Sequence, residues 1–124
     1  MKIFDKPQGH INFIDKNENF VGFDMWSSCC EEFGWSFSYE LPLNFDDAKK
    51  EDITVENQDL EDYEFDIDFF HETSEGADAG GVVTFKMVKS DGPDIYLSFY
   101  NSHNGYYSHG FNGKIGGKVI DGNL

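Results

Sequence analysis

The sequence predicts a mostly β domain, α+β at the margin. It reads as an antiparallel sheet of about 6–8 strands, curled or doubled into a small sandwich, with one short helix near 28–34. Three observations carry this. Apolar and polar residues alternate in short runs, as in Trp35-Ser36-Phe37-Ser38-Tyr39. The aromatic share is 17%, with 13 Phe, 6 Tyr and 2 Trp, which is core-forming surface and not the composition of a disordered chain. The length, 124 residues, suits one domain over 1–124 that holds a core without metal or disulfide.

Residues 11–24 read as a hairpin. Ile11 and Phe13 alternate with Asn12, the run Asp15-Lys16-Asn17-Glu18-Asn19 turns the chain, and Phe20-Val21-Gly22-Phe23 returns. Ser28 followed by Glu31 fits a capping box and Gly34 fits a C′ stop, which predicts a helical turn over 29–33. Trp35, Phe37 and Tyr39 then mark a strand that Pro42 ends. Residues 46–62 hold few apolar anchors and read as an acidic excursion.

The sharpest alternation in the chain follows. Tyr63, Phe65, Ile67 and Phe69 fall on one face of a predicted strand, and Glu64, Asp66 and Asp68 fall on the other. Glu75 to Gly81 is a loop, and 82–89 and 94–103 are strands around Ser90-Asp91-Gly92-Pro93. Asn104-Gly105 predicts a type I′ turn folding 95–103 back on 106–111. Both faces of that hairpin are apolar enough to need cover, so it is expected to sit centrally. The glycine-rich tail, 112–124, is expected to be flexible at its end.

Charge narrows the function. The chain has 24 Asp plus Glu against 9 cations, all lysine, for a net charge of −15. That balance argues against direct nucleic-acid binding, which needs a cationic surface, and against anionic membranes. No run of apolar residues is long enough to span a bilayer as a helix. The start, Met1-Lys2-Ile3-Phe4-Asp5-Lys6-Pro7, lacks the apolar stretch of a signal peptide. Cys29 and Cys30 are adjacent, where ordinary disulfide geometry is hard to reach, so two reduced thiols and a cytoplasmic setting are expected.

Fourteen of the 24 acids lie in residues 46–78 beside only Lys49 and Lys50, which places −12 of the −15 there. Glu64, Asp66 and Asp68, extended by Glu61, Asp62 and Glu72, form the candidate partner-binding set. Alternate residues on a strand are about 6.6 Å apart, close to the roughly 7 Å phosphate repeat of an extended nucleic-acid strand. Such a row suits a basic protein surface and can imitate nucleic acid. It fails as an EF-hand, having no glycine at the sixth position and no turn.

An alternative ligand or hydrolytic site gathers Cys29, Tyr100, His103, Tyr107 and His109 around the 100–109 hairpin. A thiol at a helix N-terminus is activated, and a tyrosine-lined imidazole can bind a small polar ligand or act as a base. Against this, cysteine is commonly a small core filler, and polar residues flank turns as a matter of course. The spacing supports no metal site and no cofactor: there is no CxxC, and a type I′ turn puts His103 and His109 on opposite faces.

Two stretches carry a resemblance: Val21-Gly22-Phe23-Asp24 through Cys29-Cys30-Glu31, and Tyr96 through Phe111 with its Asn101-Ser102-His103-Asn104-Gly105-Tyr106-Tyr107 run. They resemble a group of small uncharacterised bacterial and phage-borne proteins with a paired-cysteine segment and an Asn-x-His-Asn-Gly-Tyr-Tyr hairpin. The resemblance spans about residues 11–111 and implies a stable single domain, with no catalytic or ligand residue. The functional expectation is a non-enzymatic acidic protein, monomer or homodimer, that binds a basic protein surface as an inhibitor, immunity or anti-defence protein.

Overall fold

Alternation and turn chemistry build two five-stranded antiparallel sheets in the computed structural model, which describes residues 1–6, 9–27, 29–50 and 60–124. The first sheet runs β1 (Lys2–Asp5), β2 (His10–Ile14), β3 (Phe20–Asp24), β9 (Gly110–Ile115), β10 (Lys118–Asn123). The second runs β4 (Glu32–Ser38), β8 (Ile95–His103), β7 (Ala79–Val88), with β5 (Glu64–Phe65) and β6 (His71–Thr73) both pairing with β7. The predicted β class and doubled sheet hold. The strand number is ten among the described residues because β1, β5 and β6 are too short to show a period in sequence.

Inward residues of both sheets make the aromatic core. Phe23 stacks on Phe99 at 4.9 Å between ring centroids, and Phe13 meets Trp35 edge-on at 5.1 Å. Each such ring, when fully buried, stabilises the fold by about 1.5–3 kcal/mol. The outer face of the second sheet is different. Ser36, Ser98 and Thr84 lie side by side there, and the Thr84 and Ser98 hydroxyls share a 2.9 Å hydrogen bond. Ser36 Oγ donates to the Ala48 carbonyl at 2.7 Å, docking the one short helix, α1 (Phe45–Lys49), over these small residues. Asn44 caps α1 by accepting the Asp47 N–H at 2.8 Å.

Four local expectations change. The helix lies at 45–49, inside the expected acidic excursion, and not near 28–34. Residues 32–38 are strand, Ser28 lies outside the described residues, and so do residues 51–59 of the excursion. Gly34 is no helix stop. It sits opposite Tyr100, and a Cβ there would meet the Tyr100 hydroxyl at 2.6 Å, so glycine makes room for the ring.

The predicted strand over 63–69 stops after Phe65. Asp66 Oδ1 accepts the Asp68 N–H at 3.0 Å, and the Phe69 N–H reaches the Asp66 carbonyl, so the aspartate turns the chain where alternation would extend it. β6 then rejoins β7 opposite Thr84.

Asn104-Gly105 closes no hairpin. A type I′ turn needs positive φ at both central residues, but of the two only Gly105 has it, at 103°. The chain instead crosses from β8 to the other sheet and enters β9. The two-residue hairpin lies later, at Gly116-Gly117, with φ 59° and 80°, and joins β9 to β10. The glycine-rich tail thus supplies most of β9 and all of β10. Its last residue, Leu124, is buried and exchanges two 2.8 Å backbone hydrogen bonds with His109.

Candidate functional site

The six acids singled out in the sequence do not form one row. With the strand ending at Phe65, Glu64, Asp66 and Asp68 no longer share a strand face. Glu61 and Asp62 lie exposed in the turn that follows Leu60. Asp62 and Glu64 border a cleft shared with Lys16, Lys89 and Asp91. Glu64 Oε2 accepts a 2.7 Å hydrogen bond from Asn17 Nδ2 and lies 4.0 Å from Lys16 Nζ. Asp66 is used by its own turn. Asp68 and Glu72 border a different depression, a groove of about 490 Å³ between the 67–72 segment and the β9–β10 hairpin. These six acids therefore do not present the evenly spaced carboxylates of a single strand face.

What persists is the sign of the surface. Among the described acids, Asp15 is buried and the Glu31 side chain is fully covered; the others reach solvent. Lysines offset only part of this. Lys49 donates to Glu32 at 2.8 Å, which raises the lysine pKa, and Lys86 lies 3.4 Å from Asp94.

The residues of the alternative site fall on different parts of the fold, with Cys29 and His109 connected through Glu31. Tyr100 lies on the outer face of the second sheet against Phe45. His103 is buried, and its Nδ1 accepts the Gly105 and Tyr107 N–H groups at 3.0 and 3.3 Å, so it shapes the crossover. The Tyr107 carbonyl accepts from Asn101 Nδ2 at 3.0 Å. Cys29 and Cys30 are exposed and bonded to each other, which corrects both the core-filler and the reduced-thiol expectations. They lie at a bend outside regular structure. The reduced-thiol reason for a cytoplasmic setting goes with them.

His109 and Cys29 are linked through Glu31, for which the sequence predicts only a helix-capping role. Glu31 Oε1 accepts the Cys29 N–H and the Ser27 hydroxyl, each at 3.2 Å, and Glu31 Oε2 lies 3.7 Å from His109 Nε2. His109 Nδ1 bonds the Asp24 carbonyl, and the ring stacks on Phe33 at 4.1 Å. Both ring nitrogens face protein oxygens and the ring is only 1% exposed. These contacts tie Asp24 and Glu31 to the residue just before β9.

Two further groups of residues are barely marked in the sequence. Asp15 is a buried four-way acceptor, signalled only by its place at the head of an Asn-rich turn. Ile67, Phe70 and Val119 are 52%, 42% and 74% exposed beside the groove. Alternation assigned Ile67 to the core, so no sequence signal marked it. Among the described residues no three His, Cys, Asp or Glu side chains are arranged to hold a metal ion, and no helix is long and apolar enough to cross a membrane. No family model, curated protein or solved structure matches the chain.

Proposed function

We propose that the protein is a non-enzymatic binding module for a basic protein surface, of the inhibitor, immunity or anti-defence kind. The carrying observation is the distribution of its −15 charge: with Asp15 and Glu31 taken inside, the remaining described acids face solvent and outnumber the lysines. A surface of one sign steers an oppositely charged partner, raising the association rate and making it fall with salt. The scattering of the acids over separate depressions favours a folded basic surface over any regular polymer-like target. It gives no support to imitation of nucleic acid.

The test replaces Asp62, Glu64, Asp68 and Glu72 by Asn or Gln and compares capture of basic proteins from lysate over stepped salt, read by mass spectrometry. The reading expects a basic protein released at moderate salt from the wild type and retained poorly by the variant. Equal affinity and equal salt dependence for the two proteins would overturn it.

A further inference from the structure

The first sheet ends at β10, which among the described residues pairs only with β9. The register fixes which of its backbone groups are free. Gly116-Gly117 forms a two-residue loop, so Ile115 and Lys118 are a hydrogen-bonded pair and the pairing alternates from there. Val119 and Asp121 then point their N–H and C=O groups away from β9, toward the open edge. Only Lys118 and Asp121 supply charge along that edge, and β10 contains no proline.

Beside this edge lies the groove between the sheets. Phe70, Phe111, Ile115 and Ile120 form its apolar lining, while Asp68, Glu72 and Asp121 stand against the single Lys118. An edge strand next to an apolar slot is the arrangement that takes an added strand: backbone pairing supplies affinity and the slot reads one side chain. The charges choose the strand. A second copy would bring another −15 to an already acidic rim, whereas a strand carrying lysine or arginine would meet a rim on which Asp68, Glu72 and Asp121 outnumber the single Lys118.

We infer that β10 and this groove bind an extended segment of a partner protein, pairing with Val119 and Asp121 and inserting an apolar side chain flanked by basic residues. The sign of the flanking charges rests on the basic-partner reading; the strand pairing and the apolar anchor rest on the edge and the groove alone.

A labelled heptapeptide tests it, with phenylalanine at the centre, valine two positions to either side and lysine at the other positions. A control carries glutamate for lysine. By fluorescence anisotropy the lysine peptide should bind saturably and at least about tenfold tighter than the glutamate peptide. Val119→Pro removes an outward N–H and no bond to β9, and should weaken binding about three- to tenfold. Backbone amide shifts on binding should map to 119–123 and 67–70. If Val119→Pro does not fold, Asp121→Lys at the same edge carries the comparison and should weaken the lysine peptide alone.

Absence of saturable binding would overturn the inference. So would binding indifferent to Val119→Pro but lost on neutralising Asp62 and Glu64; the wider acidic-surface reading would survive that result. If both peptides bind equally and Val119→Pro weakens both, the basic-partner reading falls, and with it the charge part of this inference. A concentration-dependent dimer abolished by Val119→Pro would overturn it in favour of self-pairing.

Discussion

Asp15 and the acids of residues 61–72 belong to the same net charge but do opposite work. Asp15 is 5% exposed and accepts four hydrogen bonds: Oδ1 from the Asn17 and Asn19 N–H groups at 2.9 Å, Oδ2 from Asn19 Nδ2 and the Phe65 N–H at 3.0 Å. It closes the β2–β3 turn and ties that turn of the first sheet to β5 of the second. Asp62, Asp68 and Glu72 are exposed and line depressions at the surface. A buried carboxylate surrounded by donors holds structure, since removing it orphans every donor at once. Exposed like charges hold little and repel one another, which suits recognition. Net charge counts the two kinds equally, and only the fold separates them.

The largest test of that contrast is Asp15→Ala. It leaves the Phe65 amide and the turn amides without their acceptor and should cost about 3–4 kcal/mol. The denaturant midpoint should fall while the slope stays constant. Asp15→Asn keeps an acceptor oxygen and should lose about half as much. A loss under about 1 kcal/mol for Asp15→Ala would place Asp15 with the surface acids.

His109→Leu probes the second interior acid. It removes the group 3.7 Å from Glu31 and the bond to the Asp24 carbonyl, leaving a covered carboxylate opposite an alkyl chain. A cost of about 2–3 kcal/mol is expected, with proteolysis of the 24–31 loop increasing before global unfolding. Unchanged loop proteolysis would deny the pair its anchoring role.

The same contrast sets what could be read from sequence. The 11–24 hairpin, β4, β7 and β8 were legible because alternation there coincides with burial: Phe85, Leu97 and Phe99 are all core residues. Residues 63–69 alternate more cleanly still and yet leave the sheet. Asp66 satisfies the Asp68 amide locally, and that side-chain bond competes with the ladder at a point where periodicity is blind. Asn104-Gly105 misled because the strongest turn dipeptide served a crossover, capped by His103, while Gly116-Gly117 carried the hairpin. The acidity of the candidate surface was legible from composition. Its division into a lysine-bordered cleft and an apolar groove was not, since that depends on where the chain turns after Phe65.

Tyr63 gives a smaller effect with a pH signature. Its hydroxyl donates to the Pro93 carbonyl, and burial raises its pKa above the ordinary 10.0. A raised folded-state pKa means that the neutral phenol favours the fold. The contribution is complete below pH 10.0 and is lost as pH rises through the higher folded value. Tyr63→Phe should cost about 1 kcal/mol at neutral pH and flatten the decline in stability above about pH 10. A variant that loses stability in base as steeply as the wild type would remove Tyr63 from that account.

The smallest effect belongs to the exposed acids and has the opposite sign to Asp15. Asp68→Asn with Glu72→Gln removes two charges from a surface that carries net −15, and neither carboxylate anchors the core. At low salt the double variant should be more stable than the wild type, by no more than about 0.5 kcal/mol. The gain should vanish by about 0.15 M salt, where the screening length is near 8 Å. Raising salt over the same range should lift the wild-type melting temperature for the same reason. If the double variant is instead destabilised by 1 kcal/mol or more, as the loss of a buried acceptor would do, these acids hold the 66–72 turn. Recognition would then have to be sought at the Asp62 and Glu64 cleft.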